Sequence, residues 1–174
     1  MRELLDKDKM VRTIRRISHE IIERNGDLSD LVFVGILRNG VPMAKMIQEN
    51  ILKFEEIEVP CYDLDISGYR DDMEVAEFQK LEVNLASKTV IIVDDVLYTG
   101  RTVRASMDAI IDLGRPNKIQ LAVLIDRGHR ELPIRADYVG KSVPTSSEEK
   151  IRVQFEGNIG VFILNNEEIK NEKR

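Results

Sequence analysis

Two adjacent carboxylates, Asp94 and Asp95, stand just ahead of the small-residue segment Thr99-Gly100-Arg101-Thr102. Neighbouring carboxylates repel each other, so they call for hydroxyl donors, a cation or water. The Thr-Gly-Arg-Thr segment opens a helix pattern, and the free N–H groups and dipole of a helix N-terminus favour an anion. The threonine hydroxyls add donors and Arg101 adds charge. Together these groups suit a ligand that carries a phosphate a few ångströms from vicinal hydroxyls, which describes a ribose 5-phosphate. Neither the G-x-x-x-x-G-K-[ST] loop nor the G-x-G-x-x-G fingerprint occurs, which weighs against nucleotide hydrolysis and dinucleotide binding.

The elements that must position these groups are legible around them. Val90-Ile91-Ile92-Val93 is a short apolar run, the mark of a strand buried on both faces, with a turn expected from Asp94 to Thr102. Val103, Met107, Ile110 and Ile111 then repeat at helical spacing until Gly114 and Pro116. Lys118–Asp126 and Leu31–Ile36 read as further buried strands, and Val59–Ile66 as another. A turn at Arg38-Asn39-Gly40 leads to a helix with Pro42 in its first turn and Ala44, Ile47 and Ile51 on one face. Met10–Arg24 sets Ile14, Ile17 and Ile21 at helical spacing before Gly26. Strands alternating with helices predict right-handed crossovers and a parallel sheet covered on both faces, an α/β fold. Residues 68–88 form a long polar excursion, and such loops inside compact domains are usually functional. Ile151–Val153 and Gly160–Leu164 are short strand-like runs, and 165–174 reads as a solvated terminus.

A chain of 174 residues predicts one domain that buries about 70% of its unfolded surface without staples. Its single cysteine, Cys61, permits no internal disulfide, and a reducing cytoplasm is expected. The charged start, Met1 to Lys9, is unlike a signal peptide, and no apolar run is long enough for a membrane span. Net charge −5 excludes a surface basic throughout. A local basic face remains: Arg12, Arg15, Arg16 and His19 lie three or four residues apart on the first helix, with Arg24 beyond them. Such a face can track nucleic-acid phosphates or simply be solvated.

Residues 90–102 resemble the 5-phosphoribosyl 1-diphosphate (PRPP) signature of type I phosphoribosyltransferases. Within that family, Arg101–Ala105, Gly114-Arg115-Pro116 and Ile119–Lys141 resemble the pyrimidine operon attenuators of bacteria, as do Ile17–Asn25 and Tyr69–Asp72. The resemblance runs from the first helix to about Val153. It implies the type I phosphoribosyltransferase fold: a central parallel sheet flanked by helices, with a small hood from about 127–174 plus the chain start, and a flexible loop at 68–88.

The resemblance also implies the chemistry. Members transfer a ribosyl phosphate to a base nitrogen and release diphosphate through an oxocarbenium-like transition state, with Mg²⁺ on the leaving group. The ribose and 5-phosphate would lie along Asp94, Asp95, Val96, Leu97, Tyr98, Thr99, Gly100, Arg101 and Thr102. Arg38, Asn39 and Gly40 would form the diphosphate loop, where a strained or cis peptide is typical. The attenuator pattern usually reads Thr-Arg-Gly there, so Asn39 stands where an arginine is expected. Arg70 and Asp71, in a loop that closes over the donor and excludes water, join Asp95 as catalytic candidates. Asp126 and, indirectly, Asp95 are the candidates to support the metal. Residues 127–141 would cover the base, read chiefly by backbone groups.

By resemblance the partners are PRPP, uracil, UMP and UTP, and pyrimidine-operon leader mRNA. The RNA would be bound by a homo-oligomer, at least a dimer, through Arg15, Arg16, His19 and Arg24, with uridine nucleotides tightening the complex. Aromatics make up only 5% of residues, which favours shape and backbone contacts over base stacking. Three readings stay open: a bifunctional attenuator and uracil phosphoribosyltransferase, an RNA regulator with little catalysis (suggested by Asn39 and by a 68–88 loop shorter than is common in the resembled family), and a phosphoribosyltransferase for another base with no RNA role.

Overall fold

The computed structural model describes residues 1–69 and 83–171. Its centre is a sheet of five parallel strands in the order β3-β2-β4-β5-β6: β2 is Leu31–Ile36, β3 Cys61–Leu64, β4 Thr89–Leu97, β5 Lys118–Asp126 and β6 Tyr138–Ser142. All six residues of β2 are buried, as expected of a parallel strand covered on both faces. Helices α1 (Lys7–Asn25) and α2 (Gly40–Glu55) cover one face. There Ile14, Ile17, Ile21, Ile47 and Ile51 pack on Phe33, Ile91, Val93 and Leu124. Helix α3 (Arg101–Leu113) covers the other, with Val103, Ala109 and Ile110 on Val32, Val34, Ile92 and Val123. Alternate residues of one strand thus serve two separate cores.

Helix ends follow local chemistry. Asp6 caps α1 by accepting from Lys9 N at 2.8 Å, and Gly26, at φ 61°, closes it through its N–H to Ile22 O. Residues at the β2–α2 connection must be small because backbone meets backbone. A Cβ on Gly35 would lie 2.8 Å from Val41 Cα, and one on Gly40 would lie 2.2 Å from Val93 O. This contact presses the turn after β2 onto β4 at Val93, directly before the two acids. Helix α2 leaves β2 on one face and α3 leaves β4 on the other, so the crevice between the two strand ends is a switch point where such sheets bind ligands.

The chain start and the late strands form a second, antiparallel sheet in the order β1-β8-β7. Here β1 is Arg2–Asp6, β7 Lys150–Gln154 and β8 Gly160–Leu164. Of the segment 127–174, Tyr138–Ser142 lies in the main sheet as its edge strand, and the small sheet takes up only the later part. Asn166–Asn171 is a short helix, α4, with no buried residue. The reading of Asp94–Thr102 as a turn is corrected: β4 runs through both acids to Leu97, because parallel pairing continues to Val96↔Ile125 and Leu97↔Asp126. Residues 70–82 of the expected loop lie outside the described residues. Its end is anchored, with Leu85 buried beneath α3 and Ser87 N bonded to Arg115 O.

Gly40→Ala should cost about 3 kcal/mol in denaturant unfolding, since the added carbon meets a fixed carbonyl. Gly26→Ala, where nothing lies within 4 Å of the added Cβ, should cost only backbone strain from its positive φ, about 1–2 kcal/mol. Equal costs would show that the β2–α2 turn adjusts freely.

Candidate active site at the carboxyl ends of the sheet

The strand ends gather three groups of residues. The first is the acid pair. Asp94 is only 8% exposed, and its Oδ1 accepts from Asp95 N at 2.9 Å. Burial first, then the charge of Asp95, push the Asp94 carboxyl well above the usual carboxylate range. Asp95 is half-buried; its Oδ1 accepts from Val96 N at 2.9 Å and its Oδ2 from Asn39 Nδ2 at 2.8 Å. The second group is the turn Arg38-Asn39-Gly40, which follows a cis peptide between Leu37 and Arg38. Arg38 is exposed, and Asn39 also donates to Val153 O at 3.2 Å.

The third group is the Thr99–Thr102 loop. Gly100 takes a left-handed conformation, φ 93°, and Thr99 Oγ1 accepts from Arg101 N at 3.3 Å. First-turn N–H groups of a helix have no helical carbonyl to bond; that of Arg101 goes to Thr99 Oγ1, and those after it lie at the positive end of the helix dipole. Arg101 Nε pairs with Glu131 at 2.6 Å.

A strap from Arg127 to Ile134 holds this loop from behind, a feature the sequence did not reveal. Three successive carbonyls accept from it: Leu97 O from Arg127 N, Tyr98 O from Arg130 Nη1 at 2.8 Å, and Thr99 O from the N–H groups of Glu131 and Leu132. With its carbonyls committed to one side, the loop brings its Gly100 and Thr102 amides to the start of α3. Arg127, 6% exposed, stacks its guanidinium 4.0 Å from the centre of the Tyr98 ring and reaches Thr145, Ser146 and Glu149. Tyr98 itself is 38% exposed and meets His129 edge-on. His129, in a left-handed conformation, also meets Thr145 O through Nε2.

Asp126 closes the site on the β5 side. Its Oδ2 accepts from Arg130 Nη2 at 2.6 Å and its Oδ1 from Gly128 N at 3.0 Å. Burial alone would raise this carboxyl; the Arg130 hydrogen bond, the Gly128 amide and the Arg130 charge outweigh it and hold the group below the usual range. Asp126 is therefore tied into the strap. Among the described residues no group of three or more His, Cys, Asp or Glu could hold a metal ion. The lone thiol, Cys61, is pushed up to about 11, chiefly by burial and then by Asp63, so it is no nucleophile at neutral pH.

Arg70 and Asp71 lie outside the described residues. The structure brings Arg38–Gly40 and Asp94–Thr102 to one crevice. Arg15, Arg16, His19 and Arg24 are all exposed on α1, but three have structural partners. Arg16 pairs with Glu20 and donates to Gly140 O, Arg24 pairs with Asp137 at 3.0 Å, and the His19 ring stacks on Phe54 at 4.4 Å.

A family model described as the phosphoribosyl transferase domain matches residues 1–156. The chain belongs to the phosphoribosyltransferase family. Among curated relatives, it is 59% identical over 159 residues to the "Bifunctional protein PyrR" of Clostridioides difficile (strain 630), a match covering 88% of this chain and 90% of that one. It is 51% identical over 166 residues to the "Pyrimidine operon regulatory protein" of Lactococcus lactis subsp. lactis (strain IL1403), covering 93% and 96%. Of solved structures, the hypoxanthine phosphoribosyltransferase of Trypanosoma cruzi in complex with IMP superposes with a TM-score of 0.75 at 16% identity, covering 99% of this chain and 95% of that one. That of Staphylococcus aureus gives 0.71 at 23% identity, covering 84% and 80%. These structures share the phosphoribosyltransferase fold. The expected fold class, a parallel sheet flanked by helices, is the one found. Among the described residues no helix is long and apolar enough to cross a membrane.

In this phosphoribosyltransferase the acid pair carries a measurable cost. A buried carboxyl whose folded pKa lies above its unfolded value retains protons in the native state, so stability falls as pH rises through that window. Asp94→Asn should therefore raise Tm at pH 7, by roughly 2–4 °C for each kcal/mol relieved. The gain over the parent should shrink toward zero as pH falls to 3.8, the ordinary value. Paired thermal melts across pH check this; a constant or reversed difference would contradict it.

Proposed function

We propose that this protein converts uracil and PRPP to UMP and diphosphate, and that it also binds pyrimidine-operon leader mRNA as a uridine-nucleotide-responsive attenuator. One observation carries the catalytic reading: the acid pair, the Thr99–Thr102 loop and the Arg38–Gly40 turn converge on one switch-point crevice. Asp94 and Asp95 accept the ribose hydroxyls, the loop's amides and hydroxyls take the 5-phosphate, and the turn meets the diphosphate. A bond forms from a uracil ring nitrogen to C1 of the ribose as the C1–O bond to diphosphate breaks. The nitrogen's proton is lost to diphosphate or water. The chain's part is to position and to stabilise charge, and no strong general base is needed.

The donor set fits Mg²⁺ bound together with the donor's own oxygens. Two adjacent carboxylates supply negative charge but too few ligands for a resident ion. Asp95 is the better placed acid, because it lies in the crevice beside the Arg38–Gly40 turn, whereas Asp126 is ion-paired to Arg130 and tied into the strap. When bound, the ion offsets charge on the leaving diphosphate. Arg70 and Asp71 are proposed to act from the loop over the donor.

The regulatory reading draws support from the relatives' names and from the first helix. Arg12, Arg15, Arg16 and His19 are all exposed on α1. Of the four candidates for RNA, Arg15 lies most open, since Arg16, His19 and Arg24 also serve the fold. An RNA face shared between copies fits a homo-oligomer, and the reducing cytoplasm suits the single thiol. A second reading, an RNA regulator with little catalysis, is favoured by Asn39, whose amide is committed to Asp95 and Val153 instead of offering a cation to the diphosphate.

Uracil-dependent release of diphosphate from PRPP with Mg²⁺ should proceed at about 1 per second or faster; rates far below that would favour the second reading. Titration of a pyrimidine-leader RNA across salt should show binding that strengthens with UMP. Arg15→Ala should reduce the slope of log affinity against log salt by about one unit. RNA binding that ignores UMP, or none at all, would overturn the regulatory half.

A further inference from the structure

We propose that Asn39 is a positioning residue for Asp95, and that through it strand β7 of the small sheet holds the ribose-reading carboxylate in place. Asn39 occupies the capping position of α2, where asparagine ordinarily bonds a first-turn N–H. Here its side chain makes no capping bond. Both hydrogens of Nδ2 go elsewhere, one to Asp95 Oδ2 at 2.8 Å and the other to Val153 O at 3.2 Å.

The orientation of that amide is forced. Turned over, it would set its own oxygen against a carboxylate and a carbonyl, three acceptors with no donor between them. Asp95 gains in turn. With Oδ1 on Val96 N and Oδ2 on Asn39, both oxygens are fixed and the plane of the carboxylate is set. The remaining lone pairs then point in defined directions toward a diol. A neutral amide achieves this without cancelling the charge of Asp95, as a guanidinium in the same place would. The second bond extends the arrangement. Val153 is buried in β7, which pairs with β8 and through it with β1. The ribose site is therefore braced by strands from both ends of the chain, across a sequence separation of 114 residues between Asn39 and Val153.

This inference rests on the reading of the acid pair as the ribose-hydroxyl site, and the test separates the two. Calorimetric titration of the full chain with UMP and with 2′,3′-dideoxy-UMP reads the hydroxyl contacts directly. The parent protein should prefer UMP by about tenfold or more, the worth of a hydrogen bond to a charged acceptor. Asn39→Ala should bring the preference down to about threefold or less, chiefly by weakening UMP, while binding of the dideoxy nucleotide changes little. Asn39→Gln, which keeps the amide, should restore part of the preference. Should Asn39→Ala melt below the titration temperature, isosteric Asn39→Asp replaces it, with the same loss expected. A parent without preference overturns the hydroxyl reading and this inference with it. A preference that survives Asn39→Ala and Asn39→Asp, or equal weakening of both nucleotides, overturns the positioning role alone.

Discussion

A carboxylate shut away from water beside a second carboxylate is held at a cost in folding free energy, and the rest of this molecule is arranged around that cost. Asp94 is buried in the second half of β4, whose preceding residues, Val90 to Val93, are all fully covered. Strand β4 sits in the middle of the five-stranded sheet with two helices on one face and one on the other. That extensive core offsets the local penalty. What is left is a pair of carboxylates with lone pairs to spare, and hydroxyl donors from a ligand return to it what folding took away.

Around the acids, backbone does most of the positioning. The glycine at position 40 lets the β2–α2 turn press on Val93 O, which carries Arg38 and Asn39 to the acids. The Arg127–Ile134 strap draws the carbonyls of Leu97, Tyr98 and Thr99 to one side and so fixes the backbone that leads into α3. Arg130 bonds both Tyr98 O and Asp126, so it bridges the ends of β4 and β5. Such preorganisation suits a transfer reaction in which placement and charge stabilisation do the work.

Much of this was legible in the sequence because it is local. The bounds of β2 and β5, the helical spacing of Ile14, Ile17 and Ile21, the adjacent acids and the Thr-Gly-Arg-Thr loop are each set within a dozen residues. What escaped depends on distant pairing. Strand β4 continues past the acids only because β5 keeps bonding to it. The end of the polar excursion is held by the buried Leu85. The burial of Arg127 follows from acceptors at Thr145, Ser146 and Glu149 that no local pattern announces. The basic stripe on α1 is less free than its spacing suggested, since Glu20, Asp137 and Phe54 engage three of its members. Asn39 looked like a lapse at the diphosphate turn, and its amide proves to be joined to Asp95 and to the far end of the chain.

The central claim is that the end of β4 reads ribose hydroxyls while the loop after it takes the phosphate. A crystal structure of the protein with UMP tests it most directly. The two ribose hydroxyls should lie within hydrogen-bonding distance, about 2.5–3.0 Å, of the Asp94 and Asp95 carboxylates, with the phosphate on the amides and hydroxyls of Thr99 to Thr102. A nucleotide seated with its phosphate elsewhere, or with its ribose away from both acids, would contradict the account.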